Sequence, residues 1–223
     1  MTSINLTLTE DRAWLSQDRA FYDVGKLPPV AVKGAQCEHH ATLIGETCKI
    51  AVFPYQRLLV GMGGPYVHVN AWRETVRQTG GDIDSLNDIA PHILRLLARD
   101  YPAETPEVIL IHAGYSPSER CVTAIAYSWE DDFEPMPLGP GLTCTPPPDA
   151  TAPDYTELQA LRTAADQGRD VETFHAALCA NQKWQADNGR IRAGVLLSDE
   201  YDFASVDKHG ARVNTVRKAQ AVA

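Results

Sequence analysis

Hydrophobic and polar positions alternate from the amino end, where Ile4, Leu6 and Leu8 interleave with Asn5, Thr7 and Thr9. That period of two predicts a half-buried strand. The polar turn Glu10-Asp11-Arg12 leads to a second strand at 13–16, so the chain opens with a hairpin, and Asp18-Arg19 falls at or just past its end. Between residues 20 and 48, Gly25, Pro28, Pro29 and Gly34 interrupt any long element, which predicts an extended excursion with one short strand at 30–33. Strands are expected at 49–53 and 57–60, around a Pro54-Tyr55-Gln56 turn. The glycine-rich run Gly61-Met62-Gly63-Gly64-Pro65 then reads as a loop entering a helix at 66–78, with Val69, Trp72 and Val76 at helical spacing. Thr79-Gly80-Gly81-Asp82 closes that helix, and Asp82, Asp84 or Ser85 can cap a second one ending near Arg99.

The later half repeats this alternation. Strands are expected at 107–113, 122–129 and 133–138, and Gly139-Pro140-Gly141 enters a Thr/Pro-rich connection, 143–153, that reads as a surface loop. Helices at 155–167 and 171–187 follow, then a last hairpin from 191–197 and 203–206. Residues 1–210 read as a single domain and 211–223 as a short C-terminal tail. Strands arriving in antiparallel pairs, with helices in pairs between them, predict an α+β fold of two stacked antiparallel sheets covered on their outer faces by helices.

Composition narrows the partners. A chain of 223 residues is long enough for one sizeable core. Its formal charge of -9 argues against a nonspecific nucleic-acid binder, which presents a basic surface to phosphates. No apolar run reaches the length of a membrane span, and the amino end lacks the apolar segment of a signal peptide, so a cytoplasmic location is expected. The five cysteines are odd in number and scattered, as suits reduced thiols. Cys37, His39, His40 and Cys48 match no standard zinc spacing, and neither a metal nor an organic cofactor is expected.

Two chemistries remain open on residue pattern. Strand, glycine loop and helix in succession suggest a nucleotide site, but Tyr66 stands where the third glycine belongs, and the preceding strands pair as hairpins. The second begins at Thr2. Removal of Met1 would leave a threonine whose own α-amine, titrating near about 7.7–8.0, can act as base for its hydroxyl.

The order of elements and several local motifs resemble the proteasome β-subunit and its bacterial relative HslV, which belong to the N-terminal-nucleophile hydrolases. The likeness runs over residues 2–206. Thr2 matches the nucleophile, Asp18 the aspartate ending the second strand, and Lys49 the lysine opening the third. Gly63 matches the glycine whose amide binds the oxyanion, and Gly139-Pro140-Gly141 a later Gly-x-Gly. The resemblance implies a four-layer αββα sandwich, a cytoplasmic ring-like homo-oligomer, and hydrolysis of a peptide or other amide. In that chemistry Thr2 attacks, Lys49 stabilises the forming alkoxide and Asp18 orients Lys49. The chain also departs from the family. Pro140 occupies a position where active members carry serine, and Arg190 stands three residues after Asp187, where a second serine is expected. A catalytically silent structural or assembly subunit is therefore the alternative.

Overall fold

The computed structural model describes residues 3–24, 41–46, 48–64, 66–100, 108–191 and 197–219. Strand β1 (Ile4–Leu8) pairs antiparallel with β2 (Arg12–Asp18), setting Ile4 opposite Gln17 and Leu8 opposite Ala13. The following residues turn into a separate two-stranded hairpin, β3 (Ala20–Val24) with β4 (Ala41–Glu46). The sequence pattern concealed this hairpin because its strands are divided by the glycine- and proline-rich run. The strand expected at 30–33 lies outside the described residues, as do Cys37, His39 and His40.

Next come β5 (Ala51–Phe53) and β6 (Leu58–Gly63), then helices α1 (Tyr66–Thr79) and α2 (Ile83–Asp100). Asp82 caps α2 as expected, its carboxylate accepting the Ser85 N–H at 3.0 Å. Strands β7 (Ile109–Ser116), β8 (Cys121–Ser128), β9 (Met136–Pro137) and β10 (Gly141–Thr145) follow, then helices α3 (Tyr155–Ala165) and α4 (Val171–Asp187), and finally β11 (Glu200–Asp207) and β12 (Gly210–Lys218).

These elements form an α+β fold with two antiparallel five-stranded sheets and four helices among the described residues. One sheet has the order β10-β1-β2-β11-β12, the other β5-β6-β7-β8-β9. Two expectations fail here for the same reason. Residues 141–145, which run into the connection expected as a loop at 143–153, pair with β1 from Leu8↔Gly141 to Ile4↔Thr145, and residues after Gly210, expected as a tail, pair with β11. Both are edge strands, where prolines close by and small or polar side chains are tolerated because only one side needs a partner. The strand expected at 133–138 shrinks to β9, because Phe133 takes a positive φ of 56° and turns its ring into the core.

Each sheet buries apolar side chains on alternate faces. One cluster joins the two sheets through Ile4, Leu6, Leu8 and Leu15 on one side and Leu59, Ile111 and Ala113 on the other. The intervening residues Leu58, Val60, Met62 and Leu110 pack instead against Trp72, Val76, Leu86 and Leu94 of α1 and α2. A third cluster sets Leu158, Phe174 and Leu178 of α3 and α4 against Trp14 and Leu142. Burial on both faces accounts for the nearly continuous hydrophobic runs of β6 and β7.

A polar group crosses the α1–α2 side. Trp72 Nε1 donates to His112 Nε2 at 3.0 Å, which leaves Nδ1 to carry the proton toward Asn87 Oδ1 at 3.1 Å; the Tyr127 hydroxyl donates to the same oxygen. Burial holds the His112 imidazole down to about 3, and it holds His175 of α4 to about 3 as well.

Two outcomes follow from this packing. The two imidazoles stay neutral in the folded chain, whereas in the unfolded chain they take up protons below about 6.5. Stability is therefore full above that pH and should fall between about 6.5 and 3, by roughly 1 kcal/mol per pH unit for each ring. Urea midpoints measured across the interval should fall less when His112 is replaced by Gln. Gly114 of β7 permits close passage of the neighbouring chain, since a Cβ there would lie 2.8 Å from the Arg57 carbonyl oxygen. Gly114→Ala should cost about 2 kcal/mol by chemical denaturation; an unchanged midpoint would mean that β6 can yield.

Candidate functional site

Asp18 ends β2, and its carboxylate is the meeting point of three chain segments. Oδ1 accepts the Ser3 N–H at 2.8 Å, while Oδ2 accepts the Ala20 N–H at 3.0 Å and the Lys49 ammonium at 3.1 Å. The Asp18 N–H donates back to the Ser3 carbonyl at 3.3 Å. This carboxylate therefore fixes the backbone immediately after Thr2, which itself lies outside the described residues.

Lys49 sits just before β5 rather than inside it, and both side chains of the pair are buried, at 10% and 4% exposure. Burial pushes the Lys49 ammonium below the ordinary lysine range, and the Asp18 charge opposes that shift. Burial raises the Asp18 carboxyl, against the pull of Lys49 and of the Ser3 and Ala20 amides. Both shifts narrow the gap between the two groups, which eases movement of a proton between or through them.

Gly63 occupies the last position of β6, opposite Ile109. The run read as a glycine loop is thus strand as far as Gly63. Gly61 faces the other sheet so closely that a Cβ would meet Leu15 Cδ2 at 2.9 Å, while Met62 points the opposite way into the α1–α2 core. The close approach lets Gln17 of β2 bridge the sheets, its Nε2 donating to the Met62 carbonyl at 2.6 Å and its Oε1 accepting the Met62 N–H at 3.3 Å. Gln17 thereby sets the height of Gly63. Because β6 runs antiparallel to both β5 and β7, the parallel unit that the nucleotide reading requires is missing.

Several contributing residues escaped the pattern reading. β1 was expected to be half buried, yet all five of its residues are buried, and Asn5 and Thr7 face α4. There His175, Cys179 and Gln182 recur at i, i+4 and i+7, a polar stripe on one helix face. Asn5 and Gln182 exchange amide hydrogen bonds of 3.0 and 2.8 Å, and the Ser3 hydroxyl donates to Gln182 Oε1 at 2.6 Å. His175 bonds Thr7 Oγ1 through Nε2 at 2.9 Å and Ser16 Oγ through Nδ1 at 2.8 Å. These groups hold the first strand on its outer face. An alternation of apolar and polar residues marks a strand but does not distinguish solvent from a polar helix face.

The residues at which the resemblance fails also have positions. Pro140 precedes β10, outside any strand. Asp187 ends α4, where it is exposed and paired with Lys183 at 2.6 Å. Arg190 follows, its N–H bonded to the Gln185 carbonyl at 2.8 Å. An open cavity of about 340 Å³, lined by Thr9, Arg12, Trp14 and His209 among others, lies at the opposite end of β2 from Asp18.

Among the described residues, no group of three or more His, Cys, Asp or Glu could hold a metal ion, and no helix is long and apolar enough to cross a membrane. The four described cysteines are free. The chain matches no protein-family model and no curated protein sequence.

Removing one member of a buried pair strands the other. Asp18→Ala should destabilise the protein by about 3 kcal/mol, and Asp18→Leu combined with Lys49→Met should recover a substantial part of that loss. Equal losses in the single and double variants, measured by urea unfolding, would show that the pair is not coupled.

Proposed function

We propose that the chain is a threonine-nucleophile hydrolase of amides or peptides, with the four-layer αββα sandwich of proteasome-like proteins, acting after Met1 is removed. One observation carries this reading: the buried Lys49 ammonium lies 3.1 Å from Asp18, and Asp18 grips the backbone of Ser3, next to Thr2. The three apolar clusters, helices to sheet, sheet to sheet and sheet to helices, support the layer order.

In this mechanism the Thr2 hydroxyl attacks the substrate carbonyl while its proton passes to the Thr2 amine, directly or through a water. Asp18 holds Lys49 so that its ammonium stabilises the alkoxide as it forms. The oxyanion of the tetrahedral state accepts the Gly63 N–H. Collapse of that state breaks the C–N bond, the amine leaves with a proton from the Thr2 ammonium, and water hydrolyses the resulting ester. The fold would assemble as a cytoplasmic ring-like homo-oligomer, and its substrates are peptides or other amides. Neither nucleic acid nor membrane belongs to this reading, and no step calls for a metal or cofactor.

A second reading has its own support. Pro140 and Arg190 replace the two hydroxyl-bearing positions of active relatives, as suits a catalytically silent subunit retained for its packing surfaces. Intact-mass measurement and a threonine-directed peptidyl epoxyketone separate the two. The hydrolase reading expects loss of Met1 and a single covalent adduct that Thr2→Ala abolishes, with Lys49→Ala slowing adduct formation by about 100-fold or more. Retention of Met1, or a Thr2→Ala protein that reacts as fast as the parent, would sink it.

A further inference from the structure

Lys49 carries the proposed chemistry from a segment that no strand ladder holds, because β5 begins only at Ala51. A side chain from the opposite sheet reaches its backbone. Asp202 of β11 accepts the Lys49 backbone N–H on Oδ2 at 3.1 Å, and its Oδ1 takes the Arg19 guanidinium at 2.8 Å. Asp202 is 5% exposed and stands directly opposite Gln17 in the β2–β11 register. Two polar residues at one level of the first sheet therefore grip the backbone of the second. Gln17 holds Met62, next to Gly63, and Asp202 holds Lys49.

We propose that Asp202 is the positioning residue for Lys49, fixing by backbone contact and charge where its ammonium meets Asp18. The assignment rests on the hydrolase reading for its catalytic consequence, but the hold itself is independent of it. An ordinary core position at this level would carry an apolar residue like Ala204 and Val206, its neighbours on the same face of β11. A buried carboxylate costs desolvation and persists where it is paired and hydrogen-bonded. Here its partners are the Arg19 guanidinium, the Cys48 thiol and the Lys49 backbone amide, two residues before the start of β5. Outer partners of this kind orient a reactive group that touches substrate without touching substrate themselves.

The charged and titratable groups around Lys49 come from every neighbouring element: Asp18 and Arg19 from the end of β2, Asp202 from β11, the adjoining Cys48 thiol, and Arg73 of α1, which donates to the Cys48 carbonyl at 2.8 Å. Of these, Asp18 and Asp202 both favour the charged form of Lys49.

The test uses full-length protein carrying 13Cε-labelled lysine, with the Lys49 resonance assigned by its loss in Lys49→Arg. Asp202→Asn keeps the side-chain shape and one acceptor oxygen but removes the charge, and it should lower the Lys49 titration midpoint by about one pH unit. Arg19→Met removes the other partner of the carboxylate and should leave that midpoint unchanged or higher, even where it lowers thermal stability as much. In epoxyketone labelling, Asp202→Asn should react about 10-fold more slowly, with the high-pH limb of its rate profile displaced in step with the NMR midpoint. An Asp202→Asn midpoint equal to the parent's, or a drop of the same size in Arg19→Met, overturns the proposal. A displaced midpoint in a protein that the epoxyketone never modifies upholds the hold on Lys49 while removing the hydrolase reading.

Discussion

Burial of both faces of the central strands is the constraint from which the remaining features of this protein follow. β1 and β2 press Ile4, Leu6, Leu8 and Leu15 against the second sheet, and they press Asn5, Thr7 and Ser16 against α4. A polar atom shut away from water on either side must find a partner inside the protein, because leaving it unpaired costs more than a typical hydrogen bond returns. The helix answers with His175, Cys179 and Gln182. The facing sheet answers with backbone: the Met62 amide and carbonyl for Gln17, and the Lys49 N–H for Asp202. Asn5, Thr7, Ser16, Gln17 and Asp202 are thereby converted into positional restraints.

The candidate site is the place where these restraints converge. Asp18 sits where β2 leaves the sheet, so its carboxylate can reach the amide of Ser3 on one side and the ammonium of Lys49 on the other. An ion pair so deeply buried contributes little to net stability compared with a well-packed apolar pair. Burial shifts the two groups toward each other, the ammonium down and the carboxyl up, while their mutual attraction opposes both shifts. Met62 and Gly63 belong to the second sheet and Lys49 leads into it, whereas Asp18 belongs to the first and Ser3 leads into that one. The site therefore spans the sheet interface, and its geometry is set by the separation of the sheets, for which the missing side chain of Gly61 makes room.

What could be read in the chain without its fold was the local part. The alternation at 4–9, the helical spacing of Val69, Trp72 and Val76, the Asp82 cap, and the full extent of α4 depend on contacts between residues near in sequence, where periodicity and capping chemistry leave a direct trace. The approach of Asp18 to Lys49 was legible for a different reason, as the order and spacing of a resemblance rather than as a physical necessity of the two residues.

Other features depended on partners distant along the chain, and no local pattern encodes these. Residues 141–145 and 210–218 became strands because β1 and β11 offered open edges. Gly61 to Gly63 became strand because β7 lay alongside, and the alternating polar residues of β1 were buried because α4 covered them. Asp202 is one aspartate among many in the sequence, and nothing around it marks it. Only folding, which lays β11 beside β2 and across from the start of β5, puts its carboxylate within hydrogen-bonding distance of Lys49, 153 positions away. Sequence alone thus determined the helices, the first hairpin and the residue types available for chemistry. Tertiary structure decided which of them met, because packing two sheets face to face brings together groups whose separation along the chain carries no record of their contact.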